Sequence, residues 1–256
     1  QGPGNSKPPV KSSGTSMPVS LPAMLAEQQE AWQAVFEIHA AMPHGWVLVG
    51  GQAVYLHAIE RGAPFVRPTR DADMALDIRA YPRMLHDFTA LLVKLDFESA
   101  GESLEGHQHR WLRGKAVVDV LIPRHLGERA DSRRGATGGT TIASPATQQA
   151  LDRAEAVDVI AGSATGNVNR PTLLGSLIGK AAALTIMDDP GRERHITDFL
   201  TLAAVVGAAD LRGVTYKRAE RDHLANMLGH LTRDPALLAL VPEGAPGVER
   251  LRLSLS

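Results

Sequence analysis

Two aspartates one residue apart, Asp71 and Asp73, stand in the strand-like run DADMALDI (71–78). Side chains alternate across a strand, so both point to one face, about 6–7 Å apart, where like charges repel. A cation between them relieves that repulsion, and hard carboxylate oxygens suit Mg²⁺. Asp119 is the one charge in AVVDVLI (116–122), a segment apolar enough to be a buried strand, where a carboxylate without a partner is costly. About twenty residues before Asp71, Gly50 and Gly51 separate an apolar segment from one with helical spacing. A strand, two glycines and a helix start gather free backbone N–H groups and a positive dipole end at one point, which suits phosphate. Taken together, these parts describe an in-line displacement at phosphorus, with amides on the phosphates and three carboxylates on a metal. Each part also has a plainer reading. A strand-end aspartate caps turns, a lone core aspartate forms a salt bridge, and paired glycines make a tight turn. Asp77, in the same alternation, reads as structural.

The elements that must position these residues follow from periodicity. WVLVG (46–50) reads as a short buried strand and GQAVYLHAIERG (51–62) as a helix stopping at Gly62. A helix is expected from Ser20, as its cap, through SLPAMLAEQQEAWQAVFEIHAAM, and another over 81–97. HRWLR (109–113) and AVVDVLI read as strands joined by a Gly-Lys turn, residues 123–147 as loop, and EAVDVIAG (155–162) as a further strand. Pro171 suits the first position of a helix over 171–188, and two more helices are expected over 193–206 and 217–231. No strand is expected after about residue 165. The resulting class is α+β: a mixed-sheet lobe over 20–167 and an all-α lobe over 168–256. Residues 1–19 read as a disordered leader or tag ahead of or around Met17, too poor in apolar residues to order themselves.

The 256 residues carry a formal net charge of −1, so no global basic field advertises nucleic acid. The chain has no cysteine, which excludes disulfides and thiolate zinc sites and fits a cytoplasmic protein. No apolar run approaches the ~18 residues of a membrane span.

LVGGQAVYLH, RPTRDADMAL and VVDVLI, in that order, resemble the nucleotidyltransferase superfamily with the DNA polymerase β-type fold, and more closely the AbiEii/AbiGii toxins of abortive-infection and type IV toxin–antitoxin systems, including MenT-like toxins. The resemblance spans roughly residues 45–205. It implies that Gly50 and Gly51 cradle nucleotide phosphates, and that Asp71, Asp73 and Asp119 bind Mg²⁺ or Mn²⁺. The family's helical half has a lysine followed by an Arg-rich stretch with aspartate. Lys180 in LLGSLIGKAAAL and Arg192, Arg194 and Asp198 in GRERHITDFLTL match it. Many superfamily members have Gly-Ser where this chain has Gly-Gly, and RHITD replaces a more usual Lys-Asp pair, so only Asp198 carries over securely. The GG…RPTRDAD order is also similar to that of aminoglycoside nucleotidyltransferases.

Lys180 lies among small and apolar neighbours at helical spacing (Ser176, Leu177, Ala183, Leu184). It reads either as a cation reaching a triphosphate between the lobes or as a snorkelling lysine. Asp198 could pair with Lys180 or Arg194. Arg67 and Arg70 flank the DAD loop and could reach phosphate. His57, His107, His109 and His195 have no metal-ligand spacing. Arg124, Arg129, Arg133 and Arg134, among glycines, read as a mobile basic segment able to follow an RNA backbone, whereas Arg212, Arg218 and Arg221, diluted by Glu220 and Asp222, read as a solvated face. The expected function is transfer of a nucleotide from an NTP to an acceptor hydroxyl, with Asp119 activating the hydroxyl. By the resemblance, the acceptor is the tRNA 3′ end and the role that of a toxin countered by an antitoxin protein. The alternatives are an aminoglycoside-modifying nucleotidyltransferase and a non-catalytic nucleotide-binding module.

Overall fold

The computed structural model describes residues 17–63, 69–104, 106–124, 127–186 and 189–256; Arg67, the leader residues 1–16 and the side chain of Arg129 lie outside the described residues. In chain order the elements are β1 (Val19–Ser20), α1 (Ala26–Ala41), β2 (Trp46–Val49), α2 (Gly50–Glu60), β3 (Asp71–Leu76), α3 (Met84–Lys94), β4 (Glu98–Ser99), β5 (Arg110–Arg113), β6 (Ala116–Pro123), α4 (Glu128–Asp131), β7 (Ile142–Ser144), α5 (Thr147–Asp152), β8 (Ala154–Ala161) and β9 (Ala164–Pro171). Helices α6 (Leu173–Ala183), α7 (Arg192–Val205), α8 (Ala208–Leu211), α9 (Arg218–Arg233) and α10 (Ala245–Leu255) follow, with two short 3₁₀ turns before α10. The chain is a mixed α+β protein. Among the described residues no helix is long and apolar enough to cross a membrane.

Two sheets form. The larger runs β2-β3-β6-β5-β4, with β3 and β6 parallel and the other pairs on that path antiparallel. Leu121 pairs with Ala75 of β3 on one side and Ile142 of β7 on the other, so β7 continues the edge that β5 begins. Alternation divides this sheet by chemistry. Trp46, Leu48, Ala72, Met74, Leu76, Trp111, Val118, Val120 and Ile122 all face a core shared with α1 and α3. On the opposite face Val47 and Ala75 pack beneath Ala150 and Leu151 of α5, leaving the rest of that face for the site.

The second sheet, β1-β8-β9, and the helical half account for most departures from expectation. Ser20 does not cap a helix: Val19–Ser20 pairs with β8 and Leu21 N–H donates to Ile160, while Pro22, without an N–H, separates this strand from α1. The polar stretch ATGNVNRP, expected to be a lobe boundary without strand, is β9, paired with β8 along its full length. Its partner supplies the hydrogen bonds that its own pattern does not advertise. Pro171 ends β9, and Thr172 instead caps α6, its hydroxyl accepting from Gly175 N–H. The expected loop over 123–147 contains α4 and β7. Beyond β9, Leu177, Ile178, Phe199, Leu200, Leu224, Met227, Leu231 and Leu251 form a separate helical core. Helix α2 joins the halves: it packs on α6 and α7, Arg61 is bidentate to Asp210 of α8, and His57 is hydrogen-bonded to the Pro171 carbonyl.

Candidate active site

The central geometry is a register. Val49 on β2 lies opposite Asp73 on β3, Asp73 opposite Asp119 on β6, and Asp119 opposite Arg110 on β5. Residues in register on adjacent strands share a face and stand about 4.8 Å apart. The sheet therefore draws Asp73, Asp119 and Arg110 into one row across three strands, with Asp71 one pleat away on the same face. Where the row meets β2, Gly50 turns the chain into α2 at φ +66°. A Cβ at Gly50 would fall 1.8 Å from an Asp73 carboxylate oxygen, so the left-handed turn and the missing side chain let Asp73 lie against the start of α2. A Cβ on Gly51 would meet the Thr69 hydroxyl at 2.9 Å. Among the described residues no side chain caps α2, which leaves its first N–H groups without a side-chain partner there and suits them to a ligand at this end.

The row forms one wall of a cavity of about 320 Å³, a volume within the range of small-molecule sites. Asp71, Asp73, Asp119, Arg110, Gly50 and Gly51 line the sheet side; Gly175, Ser176, Gly179, Lys180, Arg194 and His195 line the helical side. Ser176 and Lys180 are one turn apart on α6, and the small residues around them let the helix approach the sheet. Lys180 is buried and its Nζ lies 2.8 Å from Asp198 Oδ2. It is thus an oriented cation at the cleft wall rather than a snorkelling one, and Asp198 stands behind it, outside the lining. His195 also lines the cleft, its Nε2 2.9 Å from Asp189 Oδ2; burial first, then Lys180, hold its pKa below the usual value.

Electrostatics separate the aspartates. Burial, followed by the neighbouring Asp119 carboxylate, pushes the Asp73 pKa up to about 7, against the pull of Lys180 and Arg194. Asp119 is held by Arg110: Nε donates to Oδ1 at 2.8 Å and Nη2 to Oδ2 at 2.7 Å, while the same Nη2 reaches Asp71 Oδ2 at 3.1 Å. These bonds raise the Arg110 pKa above its ordinary value. Among the described residues no group of three His, Asp or Glu side chains is arranged as a ready-made metal site. Asp71, Asp73 and Asp119 nevertheless share one cavity wall and carry hard carboxylate oxygens, the donor type that Mg²⁺ and Mn²⁺ take.

Asp71, Asp73, Asp119, Gly50, Gly51, Lys180 and Arg194 all line this one cleft. Arg70 does not. Its exposed side chain lies 3.7 Å from Glu27 of α1, and it does not line the cleft. Asp77 is structural, its carboxylate accepting from Ala80 N–H. Three arginines of the basic loop are tied down. Arg124, Arg133 and Arg134 donate to the carbonyls of Ala143, Ile78 and Gly138, and none lines the cleft. Glu220 is buried rather than solvated, because both its oxygens accept from Arg153 at 2.7 Å. Arg110 and Thr69 are cleft residues that sequence reasoning missed. For Arg110 the signal was present: a two-residue turn at Gly114-Lys115 pairs Arg113 with Ala116 and therefore Arg110 with Asp119.

Neither a protein-family model nor a curated protein matches this chain.

Proposed function

We propose that the protein is a nucleotidyltransferase that moves a nucleoside monophosphate from an NTP to an acceptor hydroxyl, with the DNA polymerase β-type arrangement of its α+β half. The observation that carries this reading is the row of Asp73, Asp119 and Arg110 with Asp71 beside it, facing Lys180 and Arg194 across a cleft entered by the start of α2. Carboxylates beside the start of α2 on one wall and the cations Lys180 and Arg194 on the other suit a metal–triphosphate complex.

The N–H groups following Gly50 and Gly51, together with Lys180 and Arg194, bind the phosphates; Asp198 fixes the lysine as a point charge. Asp71, Asp73 and Asp119 are the residues that would hold Mg²⁺ or Mn²⁺, which would supply Lewis-acid stabilisation of the developing charge. Asp119 takes the proton of the acceptor hydroxyl as its oxygen bonds to the α-phosphorus, and the bond from that phosphorus to the bridging oxygen breaks to release pyrophosphate.

The acceptor we infer from the resemblance to AbiEii/AbiGii toxins is the tRNA 3′ end, and the biological role is that of a toxin restrained by an antitoxin protein. The test offers total tRNA and a panel of aminoglycosides with each α-³²P-labelled NTP at two salt concentrations. Label on tRNA 3′ ends that falls steeply with salt supports the reading, because phosphate contacts release counterions. Label on an aminoglycoside and none on RNA overturns the acceptor.

A further inference from the structure

Arg110 stands where a cation is needed. Its guanidinium spans Asp119 through two hydrogen bonds and touches Asp71 with the nitrogen that also serves Asp119. A planar fork matched to a carboxylate in this way is the strongest form of such pairing. Yet the side chain is 44% exposed, so it is anchored by the carboxylates rather than by packing. Its backbone sits on β5, whose neighbour on the far side among the described residues is the two-residue β4.

We propose that Arg110 is an internal counter-ion that holds the carboxylates closed until a divalent cation displaces it. The proposal rests on the metal-dependent reading above. A guanidinium and a metal ion compete for the same Asp119 oxygens, since a carboxylate held by both nitrogens of the fork has fewer lone pairs to offer. While the latch is closed, Asp119 is also poorly placed to accept a proton. The incoming triphosphate offers the released guanidinium a new anionic partner, so nucleotide and metal arrive more favourably together than either does alone.

The experiment measures Mn²⁺ binding to the full-length protein by electron paramagnetic resonance of free Mn²⁺, without nucleotide, for wild type, Arg110→Gln, Arg110→Lys and Asp73→Asn. Arg110→Gln is expected to bind Mn²⁺ at least tenfold more tightly than wild type. Arg110→Lys, which keeps the charge but loses the fork, is expected to fall between them. In thermal melts, Arg110→Gln should be less stable than wild type without metal and recover on adding Mg²⁺. Equal or weaker Mn²⁺ binding by Arg110→Gln, with wild type still binding, overturns the latch and leaves the metal-dependent reading intact. Failure of every form to bind Mn²⁺ overturns both. If Arg110→Gln does not fold, ¹⁵N-arginine spectra of the wild type decide, with Arg110→Lys assigning the signal. The Nε–H of Arg110, bonded to Asp119, should shift when Mg²⁺ saturates the site; an unchanged signal overturns the latch.

Discussion

Gly50 shows how much of the cleft depends on one absent side chain. It holds φ +66° and sits against Asp73. Gly50→Ala therefore costs about 1–2 kcal/mol of backbone strain and also forces the Asp73 carboxylate out of its row. We expect the variant to fold, with a somewhat lower melting temperature, and to lose at least a hundredfold in nucleotide transfer; near wild-type transfer would show that the Asp73 position is not critical. Lys180 is a different case, because it is buried against buried Asp198. Removing one partner of such a pair costs about 3–5 kcal/mol, so Lys180→Ala should lose stability as well as nucleotide binding. The double change Lys180→Met with Asp198→Leu should recover much of the stability, measured by urea unfolding, without recovering transfer. Recovery of transfer in the double variant would remove Lys180 from phosphate binding.

At the scale of elements, the sheet that carries the site was legible because its signals are local. The alternation of DADMAL, the lone charge in AVVDVLI and the glycines after WVLV fix faces and ends without knowledge of partners. β1, β7 and β9 were not legible, because their strand character comes from pairing: β9 is polar along most of its length and is defined by its ladder to β8. The Asp119–Arg110 pairing was available from hairpin register, but only once the two-residue turn is trusted. Buried charge was misread wherever the partner is distant in sequence. Glu220 looked solvated because Arg153, its partner, lies 67 residues away. Burial alone would raise the Glu220 pKa; the Arg153 hydrogen bonds and the Lys217 N–H outweigh it and hold it below the ordinary 4.5. A lowered carboxylate pKa contributes stability that is present above the unfolded value and lost as pH falls through the folded one. Glu220→Gln should thus be about 3 kcal/mol less stable than wild type near pH 7, with the gap closing below about pH 4.5. Urea unfolding at pH 7 and pH 4 measures it, and a gap that stays constant would mean Glu220 is not ionised in the pair.

For the whole molecule, the site is an interface between a sheet face and a helical core. The larger sheet supplies the carboxylates, α6 and α7 supply the cations, and α2 touches both through its packing and the Arg61–Asp210 pair. The sheet's own cation, Arg110, is tied to its carboxylates, so the cations that face them across the cleft come from the helical half. The account's central claim is that this opposition serves nucleotidyl transfer, and position of the label tests it most directly. Wild type and Asp73→Asn are incubated with tRNA and Mg²⁺ and with NTP labelled at either the α- or the γ-phosphate. The account predicts that wild type incorporates α-label into the acceptor and releases γ-label as pyrophosphate, that both stop when the metal is chelated, and that Asp73→Asn does neither. Incorporation of γ-label, or α-label transfer undiminished in Asp73→Asn, would contradict it.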